Sequence, residues 1–147
     1  MGADQRKQWD ELRAVFVRMQ GAAFCAKVAA YMTHLHWYAD TFMERTGQSQ
    51  DTYRRITRGE LLAPKKIMVM AICVGLGLDY RMAVDLLLSA GYALSLTNKT
   101  DIAYDYVLLK HAGEGLEVCN RELRARGVKP LEVLERKPDR IGKVKVA

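Results

Sequence analysis

Cysteine is scarce and odd in number. Cys25, Cys73 and Cys119 lie far apart among apolar neighbours, which argues against a disulfide framework and reads as three small core residues. Long apolar runs are missing too. No stretch approaches the roughly 18 uninterrupted apolar residues of a membrane span, and the charged start, MGADQRKQWDELR, has neither the apolar core nor the small-residue cleavage site of a signal peptide. A cytoplasmic location, or a nucleoid-associated one if the chain binds DNA, is expected, with no membrane partner. The alternation of β-branched and aromatic residues that marks strands is absent, as are internal repeats and low-complexity tracts, so an all-α fold is expected.

Motifs of catalysis are missing as well. There is no G-x-S-x-G and no G-x-x-x-x-G-K-[ST], and Asp101 and Asp105, spaced i,i+4, read as a solvated helix face. Neither enzymatic activity nor a cofactor is expected. His34 and His36, two residues apart on a helix, point in different directions, and neither Cys25 nor the His111 and Cys119 pair supplies the remaining ligands, so no metal site is expected.

What is present is an ordinary globular composition, 50% hydrophobic and 27% charged, in a chain long enough to bury one core. The net charge of +6 is unevenly spread. Residues 121–147 hold nine Lys/Arg against four Asp/Glu and residues 35–66 hold six against four, whereas residues 67–120 hold three against six. Such asymmetry fits an anionic partner, or a solvated surface with a basic tail.

Helical periodicity organises most of the chain. Trp9, Leu12, Phe16 and Met19 recur at intervals of three and four and form an apolar stripe ending near Gly21, a face for the core or for a dimer seam. AFCAKVAAYMTHLHWYADTFMERT has no internal glycine, proline or strong cap, and its periodicity allows one long helix. Gly47 then ends a helix, Ser49 caps the next, and Asp51 sits in its first turn beside the positive end of the macrodipole. Gly59 closes that short helix and Pro64 is expected to begin the following one. IMVMAICVGLGL, apolar on nearly every face, is expected as the central buried helix ending at Gly77. Asp79 caps YRMAVDLLLSA, which stops at Gly91. TDIAYDYVLLKHA and GLEVCNRELRARG, separated by Gly113 and Gly115 and closed by Gly127, read as an antiparallel pair packed on the core. The end is expected to be a short turn at most and then mobile.

Within RTGQSQDTYRRITRGE the pattern becomes informative about function. Tyr53 and Ile56 would face the core, leaving Gln50, Asp51, Arg54, Arg55 and Arg58 on the other face, as a helix entering a major groove requires. The competing interpretation is specific: Asp51 can form ordinary surface pairs with Arg54 at i+3 or Arg55 at i+4.

The segment from Trp37 to Asp79 resembles the lambda-repressor-like, or Xre, helix-turn-helix family. The resemblance is carried by Glu44, Gly47, Ser49, Thr52, Arg55, Ile56, Arg58, Gly59 and Pro64, and by Ala71, Leu76, Gly77 and Leu78 in the helix that follows. With a similarity of the stretch from Asp85 to Leu131 to C-terminal extensions found behind such domains, it covers roughly residues 25–131. It implies a break in the long helical stretch, with one helix ending near His34 to His36 and the next starting near Tyr38. It also implies the architecture: a helix-turn-helix bundle at 23–92, preceded by an amphipathic helix at 1–22 and followed by a C-terminal helix pair at 93–131 and a basic flexible tail at 132–147.

The function so implied is sequence-specific binding of double-stranded DNA by a bacterial or phage transcription regulator such as a repressor, as a homodimer on an inverted repeat. Ser49, Gln50, Asp51, Thr52, Arg54, Arg55, Arg58, Lys65 and Lys66 would form the contact surface. Arg54 or Arg55 would read guanine and Gln50 adenine, with Arg58, Lys65 and Lys66 on phosphates. The sequence departs from the family at Ala39, where Gln is usual, at Met43, where a small residue is usual, at Gln48, usually apolar, and at Asp51. These departures suit an alternative, a protein-interaction module or inhibitor on the same scaffold, or a dual protein that represses its own gene and blocks a partner.

Overall fold

The computed structural model describes residues 3–131, which contain eight α-helices and no strand. They are α1 (Ala3–Arg18), α2 (Phe24–His34), α3 (Ala39–Thr46), α4 (Gln50–Thr57), α5 (Lys66–Leu76), α6 (Tyr80–Ser89), α7 (Lys99–Lys110) and α8 (Leu116–Ala125). The tail expected at 132–147 lies outside the described residues.

α5 is the axis of the molecule because nothing along it beyond Lys66 is polar enough to need water: every residue from Val69 to Leu76 is buried. Helices α3, α6 and α8 pack directly on it. α1 joins the same core through Leu12 and Val15, both essentially inaccessible, while Trp9, Phe16 and Met19 lie half-buried beside them. The centre of the buried arc thus passes through Val15, which the expected stripe omitted. The Trp9 indole Nε1 donates to the Gly77 carbonyl at 2.8 Å, tying α1 to the end of α5. Core residues run from Leu12 to Leu131 in one continuous cluster, so the stretches before and after residues 23–92 share their interior with it.

The long helical stretch is broken where the family resemblance implied. α2 ends at His34, and Leu35, His36 and Trp37 close it in a Schellman arrangement: His36 N–H donates to Thr33 O at 3.2 Å and Trp37 N–H to Met32 O at 2.9 Å. His36 takes the left-handed position, φ 58°, that glycine ordinarily fills.

The start of α5 differs from expectation. Pro64 is buried but precedes the helix, because its carbonyl accepts from Tyr92 Oη at 2.7 Å and Lys65 remains extended as the N-cap. Asp79 caps α6 by accepting from Met82 N–H, and Asn98 caps α7 by accepting from Asp101 N–H. Beyond α8, Asn120 clamps the chain: its Nδ2 donates to Leu131 O at 3.1 Å and its Oδ1 accepts from Leu131 N–H at 2.7 Å. Both bonds are buried, so the backbone at Leu131 is satisfied by one side chain rather than by further secondary structure.

Candidate nucleic-acid interface

Three residues separate α3 from α4, and each has a defined task. Gly47 occupies the left-handed region at φ 71°, ψ 9°, with its N–H on Met43 O. Gln48 is buried, which a long amide tolerates because its N–H donates to Thr46 Oγ1 at 3.2 Å and its Nε2 to Thr46 O at 3.3 Å. Ser49 is extended and caps α4, its Oγ accepting from Thr52 N–H at 3.0 Å.

The inner side of α4 is fixed by Thr52 and Ile56, both buried, and by Tyr53, whose ring lies 5.6 Å from that of Phe42 on α3. The close crossing of α3 with α5 is made possible by Gly75. A Cβ there would lie 2.6 Å from Arg45 O and 2.7 Å from Thr46 Cγ2, at the last residues before the turn. The elbow that aims α4 is therefore seated on a glycine of the central helix.

Of the nine residues nominated from the sequence, five share the outward face. Gln50, Asp51, Arg54, Arg55 and Arg58 are all exposed. Arg54 Nη2 donates to Asp51 Oδ1 at 2.6 Å, so the surface pair anticipated as the competing interpretation does form. The side chains of Gln50, Arg55 and Arg58 have no hydrogen-bond or ion-pair partner among the described residues. Lys65 is exposed, also without such a partner, seven residues after Arg58.

The other three are committed elsewhere. Ser49 and Thr52 use their hydroxyls on each other, 3.0 Å apart, and the Ser49 Oγ also accepts from the Thr52 N–H as the cap. Lys66, expected to contact phosphate, donates to Asp101 Oδ1 at 2.7 Å and to Ala93 O at 2.9 Å, closing the connection that leads into α7. Burial alone would raise the Asp101 carboxyl, but its bonds to Lys66 and to the Ser95 N–H outweigh that and hold it below the ordinary value.

Sequence reasoning missed two further features. Lys27, buried on α2, reaches Asp85 on α6 at 2.6 Å; the signal is weak because lysine within an apolar helix usually extends to solvent. A cleft of about 650 Å³ lies among α1, α3, the end of α5 and α8, with Gln5, Trp37, Arg45, Glu117 and Arg124 in its wall. No residue of α4 lines it.

All three cysteines are buried. The Cys25 thiol donates to Leu61 O, burial pushes the Cys73 thiol far above its ordinary value, and burial with Glu114 and Glu122 nearby pushes Cys119 up to about 12. Among the described residues no three His, Cys, Asp or Glu side chains are grouped to hold a metal ion, and no helix is long and apolar enough to cross a membrane.

No protein-family model matches this chain, and no curated protein and no solved structure matches it.

Proposed function

We propose that the protein binds double-stranded DNA sequence-specifically, as a transcription regulator, by inserting α4 into the major groove. α3, the turn at Gly47 to Ser49 and α4 would act as a helix-turn-helix. The observation that carries this reading is the division of α4: its inner side is locked by the cap, Thr52 and Ile56, while the Arg54 and Arg55 guanidiniums and the Gln50 amide lie exposed on the other side with no part in the core. Guanidinium forks match the acceptor pair of guanine in the major groove, and an amide matches adenine. Arg58 and Lys65, beyond the C-terminal end, suit phosphate contacts that set register.

A second reading, docking of a protein partner on the same face, is favoured by the Asp51 to Arg54 pair, since a carboxylate at the groove-facing end repels phosphates. Arg54→Ala plus Arg55→Ala, both exposed, separates the two. Duplex from the protein's own upstream region is titrated at several salt concentrations against a scrambled duplex. The DNA reading expects salt-dependent binding that prefers the native duplex, with both affinity and preference lost in the double variant. Weak and equal binding to the two duplexes would refute it.

A further inference from the structure

Asp51 is the one acidic residue on the outward face of α4, and its geometry gives it more than a repulsive role. Its Oδ1 accepts from Arg54 Nη2 at 2.6 Å while both side chains stay more than half exposed, at 62% and 52%. One of the five guanidinium donors is thereby used and four remain; the second carboxylate oxygen, Oδ2, keeps its lone pairs and has no partner among the described residues. The pair also directs a long side chain. A free arginine samples many rotamers, and holding one edge of the fork on a residue one helical turn earlier biases which way the other edge points.

A G·C base pair presents a matching set of groups to the major groove. Guanine shows two acceptors, O6 and N7, and cytosine shows the N4 amino donor. The unused edge of Arg54 can donate to guanine while Asp51 Oδ2 accepts from the cytosine paired with it. An A·T pair also offers an amino donor, adenine N6, but sets it between its two acceptors, so only a G·C pair places two adjacent acceptors beside the donor.

We infer that Asp51 and Arg54 act as one reading unit for a G·C base pair, with Asp51 as a specificity determinant that lowers general affinity and raises discrimination. This inference rests on the DNA-binding reading above. Its distinctive consequence is a split between the two quantities. Removing the Asp51 charge strengthens binding to any duplex, since one like-charge approach to phosphate disappears, yet weakens the preference for the chosen base pair. A surface ion pair with no reading role would leave that preference intact.

The test uses the full chain with four proteins: wild type, Asp51→Asn, Arg54→Ala and the double variant. A preferred duplex is selected from a random pool, and affinities are then measured for it, for the three alternative base pairs at each position, and for unselected duplex. Thermal unfolding of each variant checks that the fold is retained, as expected for two exposed residues. The wild type should discriminate at one G·C pair by on the order of tenfold. Asp51→Asn should bind unselected duplex several-fold more tightly while its discrimination there falls to twofold or less. Arg54→Ala should lose the same discrimination, and the double variant should lose no more than Arg54→Ala alone. If Asp51→Asn keeps the full preference that Arg54→Ala abolishes, or if the two affect different base pairs additively, the inference is overturned while DNA binding stands. If the wild type shows no preference at any position, the DNA-binding reading itself fails and takes the inference with it.

Discussion

Gly75→Ala is the substitution that best tests how the fold aims α4. The added methyl would stand 2.6 Å from Arg45 O, 2.7 Å from Thr46 Cγ2 and 2.9 Å from Arg45 C, all well inside van der Waals contact. Two of these three atoms are backbone, and they belong to the last turn of α3, so relief requires α3 to move rather than a side chain to rotate. Overpacking of this kind costs about 1 to 3 kcal/mol, and immovable neighbours place it near the upper end. Alanine recovers about 1 kcal/mol over glycine through helix propensity, which leaves a net loss of about 2 kcal/mol. Urea unfolding should show a lower midpoint with an unchanged slope. Because Thr46 leads directly into the Gly47 turn, the proposed DNA binding, measured well below the unfolding transition, should also weaken. A variant as stable as the wild type, or more so, would refute the claim that Gly75 sets the approach of the two helices.

Two further outcomes concern buried charge. The Asp101 carboxyl lies below its ordinary value of 3.8, so its contribution to stability is fully present above about pH 4 and is lost as pH falls through the folded value. Asp101→Asn should therefore be less stable at pH 7 and show a flatter acid limb; an identical pH dependence in the two proteins, followed by thermal unfolding from pH 7 to pH 2, would count against it. Asp85→Ala leaves the Lys27 ammonium, 5% exposed, without its partner. Stranding one charge of a buried pair costs about 3 to 5 kcal/mol, and since Asp85 is 23% exposed the expected loss is about 2 kcal/mol. Urea titration should also find Lys27→Met with Asp85→Leu closer to wild type than Asp85→Ala is.

Local chemistry was legible in the sequence and long-range pairing was not. Ser49 and Asp79 announce their caps because the groups they satisfy lie three residues away. Gly47, Gly59 and Gly77 mark their turns because each needs a positive φ. The end of α2 carries no such mark, since His36 takes the left-handed position in place of glycine; only the resemblance suggested a break there. Lys66 looked available for phosphate because its partner, Asp101, comes 35 residues later. The resemblance places Ser49 and Thr52 on the contact surface; their hydroxyls lie 3.0 Å from each other, and that of Ser49 also caps α4. The arginines of the outward face were legible because an apolar pair at i,i+3, Tyr53 and Ile56, fixes which side of so short a helix is buried.

That division of labour also determines what mutation can reveal. A helix of eight residues is marginal in isolation, so α4 persists through the Ser49 cap, the burial of Thr52 and Ile56, and the packing of Tyr53 on Phe42. None of these contacts involves Gln50, Arg54, Arg55 or Arg58 as a side chain. Among the described residues, the side chains of Gln50, Asp51, Arg54, Arg55 and Arg58 make one ion pair, Asp51 to Arg54, and an exposed pair of this spacing contributes a few tenths of a kcal/mol. Stability is thus carried by the inner side of α4, and the proposed recognition falls to the opposite side. Substitutions at Arg54, Arg55 or Asp51 should change what α4 binds while leaving unfolding nearly unchanged, so a loss of binding there reports on the interface rather than on the fold.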